Sequence, residues 1–532
     1  EILPRLLERY GVEIIFGIPG VHTVGLYRGL PASNIRHITP RHEQAAGFMA
    51  DGYARVTGKP GVCFTITGPG MTNIMTAMGQ AYADSIPMLV ISSVNQTEHL
   101  GMGQGRLHEM PHQSATAACV AVFSHTLLHP DQLPEVLARA FAVFASARPR
   151  PVHVEIPTDV ITRAVDNISI EPRTLPSRPA PDPKAVKQAA DYLSAAESPV
   201  VVFGGGSIDA GSELLALVEH LGSPWINSVN AKGVLPPGHP LYAGENLSFA
   251  PLRDAISKAD VLLAVGTELG ETEMYPIPYP LSANGRVIRI DIDPHQIMCN
   301  LAADVAIVSD ARMALTSINA ELGVKHRRGD LSTKRQGQHK ATELRRAVRE
   351  QWWPEVEIYR RVFEALTETL PGAIIVGDQT QPIYAGNQFY QPASPRSWFN
   401  SSTGFGTLGY AVPAAIGAQL ASGKRPVVAI IGDGGLQFTL SELASAVEAS
   451  APIIVLVWNN RGYGEIKTYM AEKDIPTIGV DLYTPDFVAI ARGFGLQAEY
   501  ANSLEKLRAL LSDALSHDTP NLIELKEEDF VL

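Results

Sequence analysis

Two short apolar runs in the last third of the chain end in residues that can hold a divalent cation. Val427–Ile431 leads into Gly432-Asp433-Gly434-Gly435, and Ile453–Trp458 leads into Asn459-Asn460-Arg461-Gly462. Continuous apolar runs of this length are expected for strands buried on both faces. Consecutive parallel strands release their loops at one sheet edge, and ligands bind at that edge. Asp433 and Asn460 are therefore expected to face each other. A carboxylate, an amide oxygen and a backbone carbonyl next to a glycine are hard oxygen donors. They suit Mg²⁺ that is also held by a phosphate-bearing molecule. The glycines let the backbone approach that phosphate closely. Gly, Asp and Asn favour turns in any case, but two such turns on neighbouring buried strands point to a site. Thr439 and Glu442 have capping-box spacing, which predicts a helix over 440–449.

The elements that position these residues repeat along the chain. Ile14–Phe16, Gly61–Thr67, Met88–Ser92 and Val152–Ile156 are short apolar strands separated by helical segments. Val200–Phe203, Val261–Val265 and Val287–Ile292 continue the pattern, as do Ala373–Val376 and the two runs above. This alternation predicts an α/β fold of three doubly wound parallel-sheet domains. Their expected bounds are 1–165, 184–325 and 341–532, joined by a proline-rich linker over 171–183 and a solvated, charged one over 326–340.

Composition limits the partners. The 532 residues are 45% hydrophobic and 18% charged, with a net charge of −12. That argues against a nucleic-acid surface, which needs a basic face, while a local nest of N–H groups can still bind a small anion. No apolar run reaches the ~18 residues of a membrane span, and no basic-then-apolar leader is read. Cys63, Cys119 and Cys299 are too few for a disulfide framework and lack metal-ligand spacing. A reducing, cytoplasmic setting is expected.

Gly432-Asp433-Gly434 followed by Asn459-Asn460 resembles the thiamine-diphosphate signature. The resemblance runs over nearly the whole chain, in the pyrimidine-binding, central and diphosphate-binding order of the acetolactate synthase and pyruvate decarboxylase group. It implies thiamine diphosphate with Mg²⁺ on Asp433, the Asn460 side chain and the Gly462 carbonyl. It places Gly432, Gly434 and Gly435 against the cofactor, with Thr380 and Gln381 of Gly377-Asp378-Gln379-Thr380-Gln381 contacting the diphosphate. The run Gly404-Phe405-Gly406-Thr407-Leu408-Gly409 is similar to the family segment that bends the cofactor. There Leu408 would wedge between the rings and the Gly406 carbonyl would accept from the 4′-amino group. Arg41-His42-Glu43-Gln44 resembles the segment whose glutamate contacts the aminopyrimidine N1′. A carboxyl group sharing a proton at that nitrogen must be desolvated and positioned, and Glu43 has small and apolar neighbours. Thr67-Gly68-Pro69-Gly70-Met71-Thr72-Asn73 looks like the family turn near the subunit-facing active site. Active sites between subunits imply a homodimer or homotetramer.

The resemblance also bears on the reaction. The combination of FGIPGVHT, RHEQAAGFMADGYAR, RLHEMPHQ and NNRGYGEIK is most similar to bacterial 5-guanidino-2-oxopentanoate decarboxylases. It implies decarboxylation of a 2-oxo acid to an aldehyde and CO₂, with an acetolactate synthase-like carboligase as the alternative. His22 and His108 stand at substrate-facing positions and are expected to be catalytic. A guanidinium tail calls for a carboxylate, and Glu109 and Glu465 are the candidates. The family's FAD-binding GxRFDDR is replaced by Gly266-Thr267-Glu268-Leu269-Gly270-Glu271-Thr272-Glu273. FAD is not expected, and Glu268, Glu271 and Glu273 read as a solvated acidic loop.

Overall fold

The computed structural model describes residues 1–166, 168–273, 281–324 and 331–530. The first sheet contains β1 (Ile14–Gly17), β2 (Arg36–Ile38), β3 (Gly61–Thr65), β4 (Met88–Val94), β5 (Ser124–Thr126) and β6 (Val152–Pro157), in the order 2-1-3-4-6-5. The second contains β7 (Val200–Phe203), β8 (Trp225–Asn227), β9 (Tyr242–Glu245), β10 (Val261–Val265), β11 (Arg286–Asp291) and β12 (Val305–Val308), in the order 12-11-10-7-8-9. The third contains β13 (Ile374–Gly377), β14 (Trp398–Asn400), β15 (Val427–Gly432), β16 (Ile454–Asn459), β17 (Gln497–Tyr500) and β18 (Asn521–Lys526), in the order 14-13-15-16-18-17. The strand pairs are parallel, as alternating strands and helices predict. The chain divides into two compact units. One holds residues 1–176, 365–383 and 400–532, and the other holds 177–364 and 384–399.

Central strands are buried along their length because helices cover both faces of such a sheet. β3, β4, β6 and β16 are buried throughout, and β15 nearly so. β15 and β16 pair through Gly432 and Trp458, so the residues after them leave at the same edge.

Within the first unit, the helix Glu43–Thr57 crosses the helix Ala411–Ser422 at glycines. A Cβ on Gly52 would lie 2.0 Å from the Ala414 carbonyl oxygen, and one on Gly417 would lie 1.9 Å from that of Met49. Beside this crossing is a buried ion cluster. Arg55 Nε donates to Asp51 at 2.6 Å and its Nη2 to Asp84 at 2.6 Å. The Tyr410 hydroxyl also donates to Asp51.

Two local expectations are corrected. The Thr439/Glu442 pair is not a capping box. Thr439 Oγ1 donates to the Gly409 carbonyl at 3.0 Å, and the buried Glu442 carboxylate accepts from the Arg41 N–H at 2.9 Å. Both side chains are drawn to partners on other elements. The helix expected over 440–449 is present as Glu442–Glu448, and a further short helix, Asp433–Phe438, precedes it. The linker expected over 326–340 is helical from Leu331, within Leu331–Arg349. Gly337 lets that helix lie against the chain at Gly222, where a Cβ would come within 1.8 Å of a carbonyl oxygen. The earlier part of that linker falls outside the described residues.

Candidate active site

The third sheet delivers the cation-binding set. Asp433 begins a helix directly after β15 and is fully buried. Burial pushes its carboxyl up to about 6, against the pull of nearby backbone N–H groups. Its Oδ2 is buried with no hydrogen-bond partner. The Asn460 side-chain oxygen lies 2.9 Å from the Gly462 carbonyl oxygen and 3.1 Å from Asp433 Oδ1. An amide oxygen this close to two other acceptors is repelled unless a cation sits among them. Adjacent ligands of an octahedral Mg²⁺ at 2.0–2.1 Å are expected about 3 Å apart, so the spacing fits that ion. Turning the amide over would instead let its NH₂ donate to both oxygens, which accounts for the same distances without a cation. Among the described residues no cluster of three His, Cys, Asp or Glu side chains could hold a metal. The trio is not such a cluster, because two of its donors are an amide and a backbone carbonyl.

The backbone around the trio is built from forced glycines. Gly462 has φ +154°, and a Cβ there would meet the Val480 carbonyl oxygen at 2.1 Å. Asn459 is a structural neighbour that faces inward, its amide donating to Glu524 at 2.6 Å. Thr380 sits beside Gly432, whose added Cβ would be 3.3 Å from the Thr380 hydroxyl, and Gln381 starts the next helix. Gly434 packs under the Tyr463 ring and Gly435 under Asp378.

Asp378 lies in the same Gly377–Gln381 run, between a strand end and the Thr380 turn, where the sequence alone does not mark it. It is fully buried and accepts N–H groups from Gln379 at 2.9 Å, Gly409 at 3.2 Å and Ala411 at 3.0 Å. It thereby ties the Thr380 turn to the end of the Gly404–Gly409 segment. Gln80, fully buried on the helix Pro69–Ala83, grips that segment from the other side. It donates to the Thr403 carbonyl at 2.9 Å and accepts from Thr407 Oγ1 at 3.0 Å. Between these anchors Gly406 takes φ +74° and Leu408 is half-buried.

The first sheet delivers a second cluster. Glu43 is the first residue of its helix and is 9% exposed. Its Oε2 accepts from the Asn73 amide at 2.9 Å. A Cβ on Gly70 would stand 3.2 Å from Oε1, so this glycine keeps one face of the carboxylate open. His22 and His108 come together as well, with ring centroids 5.3 Å apart and the rings nearly perpendicular. His22 Nδ1 lies 3.0 Å from Thr67 Oγ1. Burial, then the neighbouring His108, holds the His22 imidazole below its usual range.

The two carboxylates expected for a guanidinium differ. Glu109 already accepts three N–H groups of its own loop, from Gly103 at 2.8 Å, Gln104 at 3.3 Å and Arg106 at 2.9 Å. These backbone bonds, that of Arg106 foremost, hold its carboxyl below the usual range. Glu465 is exposed on the helix Gly464–Glu472, no residue of which is buried.

At the edge of the second sheet the glycines serve the protein itself. A Cβ on Gly204 would lie 2.5 Å from the Gly266 carbonyl oxygen, and one on Gly206 would lie 2.9 Å from Gly266 Cα. The two loops touch each other there. Glu273 is a correction to the solvated-loop reading, since it turns back to accept from Thr267 Oγ1 at 3.0 Å.

An oxygen-lined cradle with a buried, unpartnered carboxylate oxygen fits a Mg–diphosphate group, and a desolvated glutamate fits an aminopyrimidine. The thiamine pyrophosphate enzyme families match in the same order: the N-terminal TPP binding domain over residues 1–116, the central domain over 186–318 and the C-terminal TPP binding domain over 378–525. The chain belongs to the thiamine pyrophosphate enzyme family. It is 45% identical to a protein named probable 2-ketoarginine decarboxylase from Pseudomonas aeruginosa, covering 99% of this chain and 93% of that one. It is 31% identical to a probable acetolactate synthase large subunit from Methanocaldococcus jannaschii, over 99% and 91% of the two chains. Against an acetolactate synthase from Mycobacterium bovis the identity is 34%, over 92% and 81%. Among the described residues no helix is long and apolar enough to cross a membrane.

Proposed function

We propose that the protein decarboxylates 5-guanidino-2-oxopentanoate, using thiamine diphosphate and Mg²⁺. The buried, unpartnered carboxylate oxygen of Asp433, beside Asn460 and Gly462, carries this reading. The name borne by the 45% identical relative supports the substrate. In this reading Gly432, Gly434, Gly435, Thr380 and Gln381 hold the diphosphate, and Gly406 and Leu408 hold the rings. When bound, thiamine diphosphate supplies a carbon nucleophile and an electron sink for the pair released with CO₂. Glu43 holds a proton at the aminopyrimidine nitrogen. His22 and His108 move protons to and from the substrate. With Glu109 engaged by its own loop, Glu465 is the carboxylate left to meet the guanidinium.

The sites form between two copies of the chain, each drawing on residues 1–165 of one copy and 341–532 of the other, with 184–325 as the central domain. Large apolar side chains flanking both clusters favour this arrangement. Val21, Leu107, Phe405, Phe438, Ile466 and Tyr469 are each at least half exposed, and a second copy would cover them. The setting is cytoplasmic.

The acetolactate synthases at 31–34% identity favour one other reading, a carboligase that joins two 2-oxo acids. Product analysis with thiamine diphosphate and Mg²⁺ supplied separates the two. CO₂ and a guanidino aldehyde from the guanidino acid are expected, and acetolactate as the main product from pyruvate would favour ligation.

A further inference from the structure

β4 carries Ser92 and Ser93 just before its last residue although it is buried from end to end. Polar groups are disfavoured there unless their hydrogen bonds are made. Both serines are partnered, and the partners lead to His22. The Thr67 N–H donates to Ser93 Oγ at 3.0 Å, and the Thr67 hydroxyl donates to the same oxygen at 2.9 Å. The next N–H, that of Gly68, donates to Gln113 Oε1 at 2.8 Å. Gln113 in turn donates to the Ser93 carbonyl at 2.9 Å and to Glu155 at 3.0 Å. The Thr67-Gly68 turn is thus fixed by two successive N–H groups and one hydroxyl, and Thr67 and Ser93 are fully buried.

This fixes a proton. A hydroxyl has one hydrogen to donate, and that of Thr67 points to Ser93. Toward His22 Nδ1, at 3.0 Å, Thr67 Oγ1 can therefore only accept. The imidazole then carries its hydrogen on Nδ1 and leaves Nε2 as the basic nitrogen. A partner at one ring nitrogen sets the role of the other. We propose that the Thr67–Ser93 hydroxyl relay positions His22 as the Nδ1–H tautomer, so that Nε2 exchanges protons with the substrate. Thr67 and Ser93 are positioning residues in this account. The proposal rests on the reading of His22 as a proton-transfer group.

The holoenzyme, labelled with ¹⁵N in its histidine rings, tests it by long-range ¹H–¹⁵N correlation at a pH where His22 is neutral. His22→Gln assigns the His22 signals. The wild type should show a protonated Nδ1. In Ser93→Ala the freed Thr67 hydroxyl can donate to Nδ1, and in Thr67→Val the acceptor is gone. Both should move the proton to Nε2. Both should also lower kcat by at least about tenfold, part of the roughly 10²–10⁴-fold that a positioned proton-transfer group contributes, with KM little changed. Thr67→Ser keeps the hydroxyl and should retain both the wild-type tautomer and kcat. The relay is overturned if Ser93→Ala and Thr67→Val keep the wild-type tautomer, or if Thr67→Ser loses it as Thr67→Val does. A tautomer shift with kcat unchanged would instead contradict the proton-transfer role of His22.

Discussion

The Asn73 amide donates to the Glu43 carboxylate at 2.9 Å, joining the N-terminal parts of two helices that start at the same sheet edge. The bond fixes one oxygen and leaves the other beside Gly70. Glu43→Gln keeps the shape of the side chain but cannot share a proton as a carboxyl group does. It should lower kcat by about 10²–10⁴ while circular dichroism stays unchanged. Turnover at the wild-type rate would remove Glu43 from the chemistry.

Removing an oxygen from the cation cradle should weaken metal binding. Asp433→Asn or Asn460→Ala should raise the Mg²⁺ concentration needed for half-maximal activity. Each should also diminish the rise in Tm that Mg²⁺ and thiamine diphosphate give together. A ligand at about 100 times its Kd stabilises by about 2.7 kcal/mol, and a variant that binds poorly forfeits most of that gain. An undiminished rise in both variants would place the metal elsewhere.

The crossing at Gly52 and Gly417 admits no side chain. Each missing Cβ would run into a backbone carbonyl of the opposite helix, and backbone gives way less readily than a flexible side chain. Gly417→Ala should destabilise the protein by about 1–3 kcal/mol or more, the usual penalty of overpacking. An unchanged denaturation midpoint would mean that the helices separate freely.

His153 sets a pH dependence of stability. It is fully buried between the Ser92 and Ser124 hydroxyls, 2.7 Å from each. Burial pushes its imidazole down to about 3, whereas an unfolded histidine titrates near 6.5. Between those values the unfolded chain binds the additional proton, so stability falls as the pH drops below about 6.5, by up to about 1.4 kcal/mol per pH unit. The loss levels off near the folded value. His153→Gln should flatten the slope of urea midpoints between about pH 7 and 5. Equal slopes in the two proteins would refute the assignment.

The parts legible in the sequence are those whose chemistry sits at a strand end. Asp433 and Asn460 stand out because oxygen donors follow apolar runs, and Glu43 because a motif surrounds it. Asn73, Gln80, Ser93, Gln113 and Asp378 are ordinary polar residues until the topology decides their neighbours. Ser93 acts on Thr67 because β3 and β4 are adjacent in the sheet. Glu109 misled for the opposite reason, since its partners are amides only a few residues away in a glycine-rich loop. The Thr439/Glu442 spacing failed because each residue has a better partner on a distant element.

The most direct test of the central claim is the steady-state rate of CO₂ release from 5-guanidino-2-oxopentanoate and from pyruvate, with thiamine diphosphate and Mg²⁺ supplied and the products identified. The account predicts a higher kcat/KM for the guanidino acid, with a guanidino aldehyde as product. Equal kcat/KM for the two acids, or acetolactate as the main product of pyruvate, would contradict it.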